Sequence, residues 1–87
     1  MASFDLRWKR SAIKELRSLP RDVIPRIYSA VDSLISDPIP PHSKKLAGTS
    51  DSYRIRVGDY RVVYSILQDI LVIEVVRVGH RQGIYKR

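Results

Sequence analysis

The sequence predicts a single α+β domain over residues 1–87: an N-terminal strand, a helical hairpin and a three-stranded antiparallel meander, forming one mostly antiparallel sheet covered on one face by two helices. Three observations predict it. Apolar residues alternate with polar ones near the N-terminus and again from 53 onward. Between those stretches they recur at helical spacing in two runs separated by Leu19-Pro20. A chain of this length suits one small core and no second domain.

Phe4, Leu6 and Trp8 alternate with Asp5 and Arg7, as in a short strand with one apolar face. The period then changes. Ala12, Ile13, Leu16 and Leu19 mark the buried side of a first helix, and Arg10, Lys14, Arg17 and Arg21 form a basic stripe on another side. Pro20 ends that helix, because proline lacks an N–H and its ring restricts the residue before it. A second helix follows at once, with Asp22 as its expected N-cap and Pro25 tolerated in the first turn. Its apolar stripe is Ile24, Ile27, Val31, Leu34 and Ile35, and Asp37-Pro38 stops it. Residues 37–52 hold three of the five prolines and read as a loop, with a short turn expected at Lys44 to Gly48.

Residues 53–66 alternate on both sides of Gly58-Asp59, which describes two strands joined by a two-residue turn. Gly58 supplies the positive φ that the first central position of a type II′ turn requires. The turn fixes the register: Val57 faces Tyr60, Arg56 faces Arg61, Ile55 faces Val62, Arg54 faces Val63 and Tyr53 faces Tyr64. Opposed residues project to one side of a sheet. Arg54, Arg56 and Arg61 therefore share one face, and Tyr53, Ile55, Val57, Tyr60, Val62, Tyr64 and Ile66 share the core face. Arginines held opposite one another repel by about 0.2–1 kcal/mol, which an anion between them relieves. Their planar forks match phosphate oxygens in pairs.

Gln68-Asp69 is expected to reverse the chain into a third strand, Ile70 to Val78, with Leu67 facing Ile70. That register puts Leu71, Ile73 and Val75 on the core side. It puts Glu74 across Val63 from Arg54, as a structural ion-pair partner. Gly79 ends the strand, and a basic tail of residues 80–87 folds back near the sheet.

Sixteen Lys+Arg against nine Asp+Glu give a net charge of +7, which favours a polyanion or an acidic protein as partner. With no cysteine and two histidines, thiolate and all-histidine metal sites are excluded. The longest uninterrupted apolar run, 70–73, is far too short to span a bilayer, and the N-terminus carries no signal-like run. A soluble, cytoplasmic protein with no membrane partner is the expectation.

Leu46-Ala47-Gly48, the run Tyr-Arg-Ile-Arg-Val-Gly-Asp-Tyr-Arg-Val-Val-Tyr at 53–64, Val-Gly-His-Arg at 78–81 and Ile-Tyr-Lys at 84–86 together resemble the RelE branch of the RelE/ParE toxin superfamily. The resemblance implies the toxin of a type II toxin–antitoxin pair that cuts mRNA in the ribosomal A site. The cut transfers a phosphate onto the neighbouring ribose 2′-hydroxyl, without metal or other cofactor. It implies a RelB-like antitoxin, the ribosome and mRNA as partners. It also implies catalytic positions at Arg54, Arg56, Arg61, Arg81 and Tyr85. The alternatives are a DNA gyrase inhibitor of the ParE type, which acts by binding, and a non-catalytic nucleic-acid-binding toxin homologue.

Such a reaction needs a proton acceptor, a proton donor and positive charge on the transition state. Arginine supplies the charge but effectively never gives up its proton. Where RelE toxins familiarly carry lysine, this chain has Arg54 and Arg56, so the acid and base are sought at Tyr85 first and His80 second. Nearby arginines favour a phenolate, and a histidine titrates near neutrality. Arg10, Lys14, Arg17, Lys44 and Lys45 are the expected further RNA contacts.

Overall fold

The computed structural model describes residues 4–80, and no helix among them is long and apolar enough to cross a membrane. The chain runs through β1 (Asp5–Trp8), α1 (Arg10–Arg17), α2 (Ile24–Ser33), β2 (Lys44–Lys45), β3 (Ser52–Val57), β4 (Tyr60–Leu67) and β5 (Val72–His80). The five strands form one sheet in the order β1-β5-β4-β3-β2, antiparallel except where β1 runs parallel to β5. This is the expected α+β arrangement with one addition. Lys44 and Lys45 form a short strand, not a turn, opposite Arg54 and Tyr53. Two residues are too few to show a period, so β2 is specified by its partner strand. Beside it the Leu46 N–H donates to the Ser52 carbonyl at 2.9 Å.

Both helices lie on one side of the sheet. Ala12 and Leu16 from α1, with Ile27 and Val31 from α2, pack with Ile55, Val62, Tyr64, Ile66, Ile73, Val75 and Val78, all at most 4% exposed. Each aliphatic side chain so buried contributes about 1.5–3 kcal/mol relative to exposure. Trp8 closes the β1 edge of this layer, its ring 5.4 Å from that of Tyr28. The Tyr64 hydroxyl donates to the Pro38 carbonyl at 2.7 Å, tying the loop after α2 to the centre of the sheet.

Asp22 is not the N-cap of α2. That position is Val23, which is already helical (φ −82, ψ −34) and donates its N–H to Pro20 O at 3.0 Å. A side-chain cap needs an extended residue at that position, so the chain enters this helix through a turn instead.

The β3–β4 register agrees with the sequence at every pair from Val57/Tyr60 to Tyr53/Tyr64. Gly58 has φ +60, and Asp59 is absent from the positive-φ residues, as a type II′ turn requires. The β4–β5 register differs. Gln68–Ile70 form a 3-10 turn and Leu71 is left-handed (φ 53), so Leu67 faces Val72 rather than Ile70. The slip is two residues. Ile73 and Val75 therefore keep their expected core side, while Leu71 lies outside the strand, 41% exposed. A β-bulge then intervenes: Tyr64 faces Val75 but Val63 faces Arg77, leaving Val76 as the extra residue.

Candidate nucleic-acid interface

On the face away from the helices, the pairings arrange side chains in rows across the strands. Arg56, Arg61 and Gly79 form the row nearest the Gly58 turn. Lys44, Arg54, Val63 and Arg77 form the next. Ser52, Ser65, Glu74 and Arg7 form the third, with the Ser52 and Ser65 hydroxyls 3.0 Å apart. Positive charge is thus concentrated at the hairpin end. The acidic residues Asp51 and Asp69 line an open cavity of about 420 Å³ at the other end, with Ile66, Leu67, Gln68 and Ile70.

The register that separates core from charge brings Arg54, Arg56 and Arg61 together as the sequence predicts. Arg54 and Arg61 are half-buried, and Arg56 is exposed. Arg56 Nε donates to the Gly58 carbonyl at 2.9 Å, which ties its guanidinium to the turn and leaves its terminal nitrogens for a ligand. Three guanidinium groups on adjacent strands can surround a phosphate with paired N–H donors and fixed positive charge.

Lys44 joins this face opposite Arg54, whereas Lys45 is paired with Tyr53 on the core side. Arg10, Lys14 and Arg17 are exposed on α1, in the helical layer and not on the arginine face. Lys14 and Arg17 occupy the last turn of α1, where cations also favour the helix dipole.

His80 pairs with Tyr60, and the two rings meet edge to face with centroids 5.6 Å apart. The pairing assigns it to the side of Tyr60 and Val62, so the structure does not bring it together with Arg61. Arg81 and Tyr85 lie outside the described residues.

Glu74 is not across Val63 from Arg54. The bulge at Val76 places Arg77 there, and Glu74 faces Ser65. Arg77 was not distinguishable as a member of this face from sequence, since a simple alternation to the end of β5 would send it to the other side. Its guanidinium is held by Glu15 of α1, Nη2 to Oε2 at 3.2 Å. Arg26 is a second residue that sequence reasoning misses. It reaches the Gly58 turn from α2 and comes within 2.8 Å of where a Cβ on Gly58 would sit.

The model of a toxin family, the ParE toxin of type II toxin–antitoxin systems, matches residues 6–85. Toxin RelG of Mycobacterium tuberculosis is 33% identical over 92 residues, covering 97% of this chain and 98% of the relative. Among solved structures, the archaeal RelE–RelB complex of Pyrococcus horikoshii is similar with a TM-score of 0.80 at 33% identity, over 91% of this chain and 96% of that one. The isolated RelE toxin of Escherichia coli is similar with a TM-score of 0.79 at 30% identity, over 97% of this chain and 92% of that one. With fold, arginine face and relatives in agreement, the chain belongs to the ParE toxin family of type II toxin–antitoxin systems, in the RelE branch of the RelE/ParE superfamily.

Proposed function

We propose that this toxin is a ribosome-dependent endoribonuclease that cuts mRNA in the A site. A ribose 2′-hydroxyl loses its proton and attacks the adjacent phosphorus. The P–O5′ bond breaks, and the products are a 2′,3′-cyclic phosphate and a 5′-hydroxyl that takes up a proton. The observation that carries this reading is the shared face of Arg54, Arg56 and Arg61, set by the Gly58 turn. These arginines hold the phosphate and stabilise the charge that builds on it. Removing one such donor costs on the order of 10²–10³ in rate in comparable sites.

The proton transfers fall to side chains other than arginine. Tyr85 is the first candidate, Arg81 adds charge beside it, and His80 is the second candidate. Arg10, Lys14 and Arg17 on α1, with Lys44 and Lys45 on β2, grip ribosomal RNA without taking part in bond breaking. The chemistry is carried by protein groups and the ribose itself, with no cofactor.

A RelB-like antitoxin is the partner in the resting cell. Support comes from the Pyrococcus horikoshii relative, whose structure is a RelE–RelB complex, and from the net charge of +7, which an acidic chain would neutralise. The place of action is the cytoplasm, where ribosomes are translating.

The experiment is to expose programmed ribosomes to the protein and map cuts by primer extension, beside Arg61→Ala and Tyr85→Phe. Cuts at the A-site codon that both substitutions suppress support the reading. Intact message with inhibited gyrase supercoiling supports a second reading, a ParE-type gyrase inhibitor, which the match to the ParE family favours.

A further inference from the structure

Two guanidinium groups straddle Gly58. Arg56 approaches from the arginine face and bonds the Gly58 carbonyl through Nε at 2.9 Å. Arg26 approaches from α2, on the helical side, and its Nη2 lies 2.8 Å from the position that a Cβ on residue 58 would occupy. Only a glycine lets the guanidinium approach so closely. Both side chains are exposed, and no carboxylate of the described residues lies within salt-bridge reach of either, although Asp59 is in the turn itself. Two cations converging on one peptide repel each other, and an anion bound at the tip reverses the sign of that interaction. Arg61, opposite Arg56, continues the charge onto the open face. The cations therefore form a strip that runs round the end of the hairpin.

We propose that the β3–β4 tip is a second phosphate site, in which Arg26, beside the Arg56 guanidinium that it shares with the arginine face, holds an RNA backbone phosphate next to the one on that face. The site deepens the nuclease reading, since it rests on RNA lying across Arg54 and Arg61. Its role is to fix where the strand leaves the sheet, so Arg26 acts in binding and touches no reacting atom.

The test reads affinity, not cleavage. The probe is a message carrying a 2′-O-methyl group at the A-site codon, which cannot be cut, bound either in programmed ribosomes or free, across roughly 50 to 200 mM salt. Loss of one phosphate contact makes the slope of log affinity against log salt shallower by about 0.7 to 0.9. Arg26→Ala is expected to show that change, so that its deficit against the intact protein shrinks by about threefold over the range. Arg26→Lys, which keeps the charge, is expected to restore the slope. Lys9→Ala, one cation removed just after β1 at the opposite edge of the sheet, is expected to leave it unchanged.

A change in both arms assigns the phosphate to the message, and a change on ribosomes alone assigns it to ribosomal RNA. Unchanged slopes for Arg26→Ala in both arms, an equal change for Lys9→Ala, or no binding by the intact protein in either arm overturns the site. A protein that never cuts but shows the Arg26 slope keeps the site and rejects the nuclease.

Discussion

Glu15 accepts the backbone N–H of Val78 through Oε1 at 2.9 Å, and through Oε2 it holds Arg77 at 3.2 Å. Strand β1 covers β5 only from Val72 to Val75, and no other strand of the described residues lies beside that edge of β5 beyond Val75. A carboxylate from α1 takes the place of the missing strand there. An unpaired edge is a template for pairing with another chain, and Glu15 blocks it.

Glu15→Ala leaves the N–H of the buried Val78 without that acceptor and is expected to cost about 1–3 kcal/mol. Glu15→Gln keeps an acceptor oxygen and loses only the pairing with Arg77, whose side chain is 43% exposed, so about 0–1 kcal/mol is at stake. Urea midpoints at constant slope measure both costs. Hydrogen exchange at the Val78 amide locates them: it accelerates strongly in the alanine variant and weakly in the glutamine one. Equal costs for the two variants would mean that the charge, and not the edge contact, is what matters.

Gly58 meets two demands at once, a φ of +60 and the close approach of Arg26. The positive-φ conformation of a type II′ turn costs an alanine about 1–3 kcal/mol. The Arg26 contact adds little, because the displaced atom is the far end of a flexible side chain. Gly58→Ala should therefore lower stability by about 1–3 kcal/mol by thermal melting, and by nearly the same amount in an Arg26→Ala background. A cost that vanishes in that background would place the strain in the side-chain contact and not in the backbone.

Burial pushes the Tyr64 phenol up to about 12, above its usual value of 10.0. The folded state thus favours the neutral phenol, which donates to Pro38 O. Below pH 10 the phenol is neutral in both states and the stability is fully present. As pH rises from about 10 to about 12, the unfolded chain ionises first, and stability falls by roughly 2 kcal/mol. Tyr64→Phe is expected to lose about 1 kcal/mol at neutral pH with the hydrogen bond, and to lack this alkaline decline. Comparing urea midpoints of the two proteins at pH 9 and pH 11.5 isolates the Tyr64 contribution from that of the lysines, which both proteins share. Parallel declines would show that Tyr64 ionises as readily folded as unfolded.

The part of the site built by the Gly58 turn was legible because a two-residue turn leaves one register, and alternation then assigns each side chain to a face. The same reasoning failed beyond Leu67. The chain inserts a 3-10 turn and a left-handed Leu71, neither of which a polar Gln68-Asp69 pair distinguishes from a tight reversal. The bulge at Val76 is marked in the sequence only by Arg77, a charge at a position that alternation from Ile73 and Val75 assigns to the core side, and the adjacent Val75 and Val76 do not show which of them is the extra residue. The two-residue slip at the 3-10 turn moves Glu74 opposite Ser65, and the one extra residue of the bulge then brings Arg77 opposite Val63, making an ion pair to α1 out of a position that alternation would have sent to the core side. Arg26 was illegible for a different reason. Its place depends on how α2 lies over the hairpin, which spacing within α2 does not specify.

His80 and Arg61 provide the sharpest division within the proposed chemistry, because each opposes a β3 or β4 neighbour of known facing. His80 opposes Tyr60 and packs against its ring, while Arg61 opposes Arg56 on the other side of the same strand. A side chain on the Tyr60 side cannot bond a phosphate held by Arg61 without leaving that ring. His80→Gln is therefore expected to keep cleavage of programmed ribosomes within about threefold of the intact protein. Arg61→Ala is expected to lose on the order of 10²–10³, the loss seen when one transition-state donor is removed. Single-turnover rates on pre-bound ribosomes separate this chemistry from binding. A loss of that same size in His80→Gln would mean that the histidine leaves Tyr60 when RNA is bound, and the proton transfers would then be assigned to His80 before Tyr85.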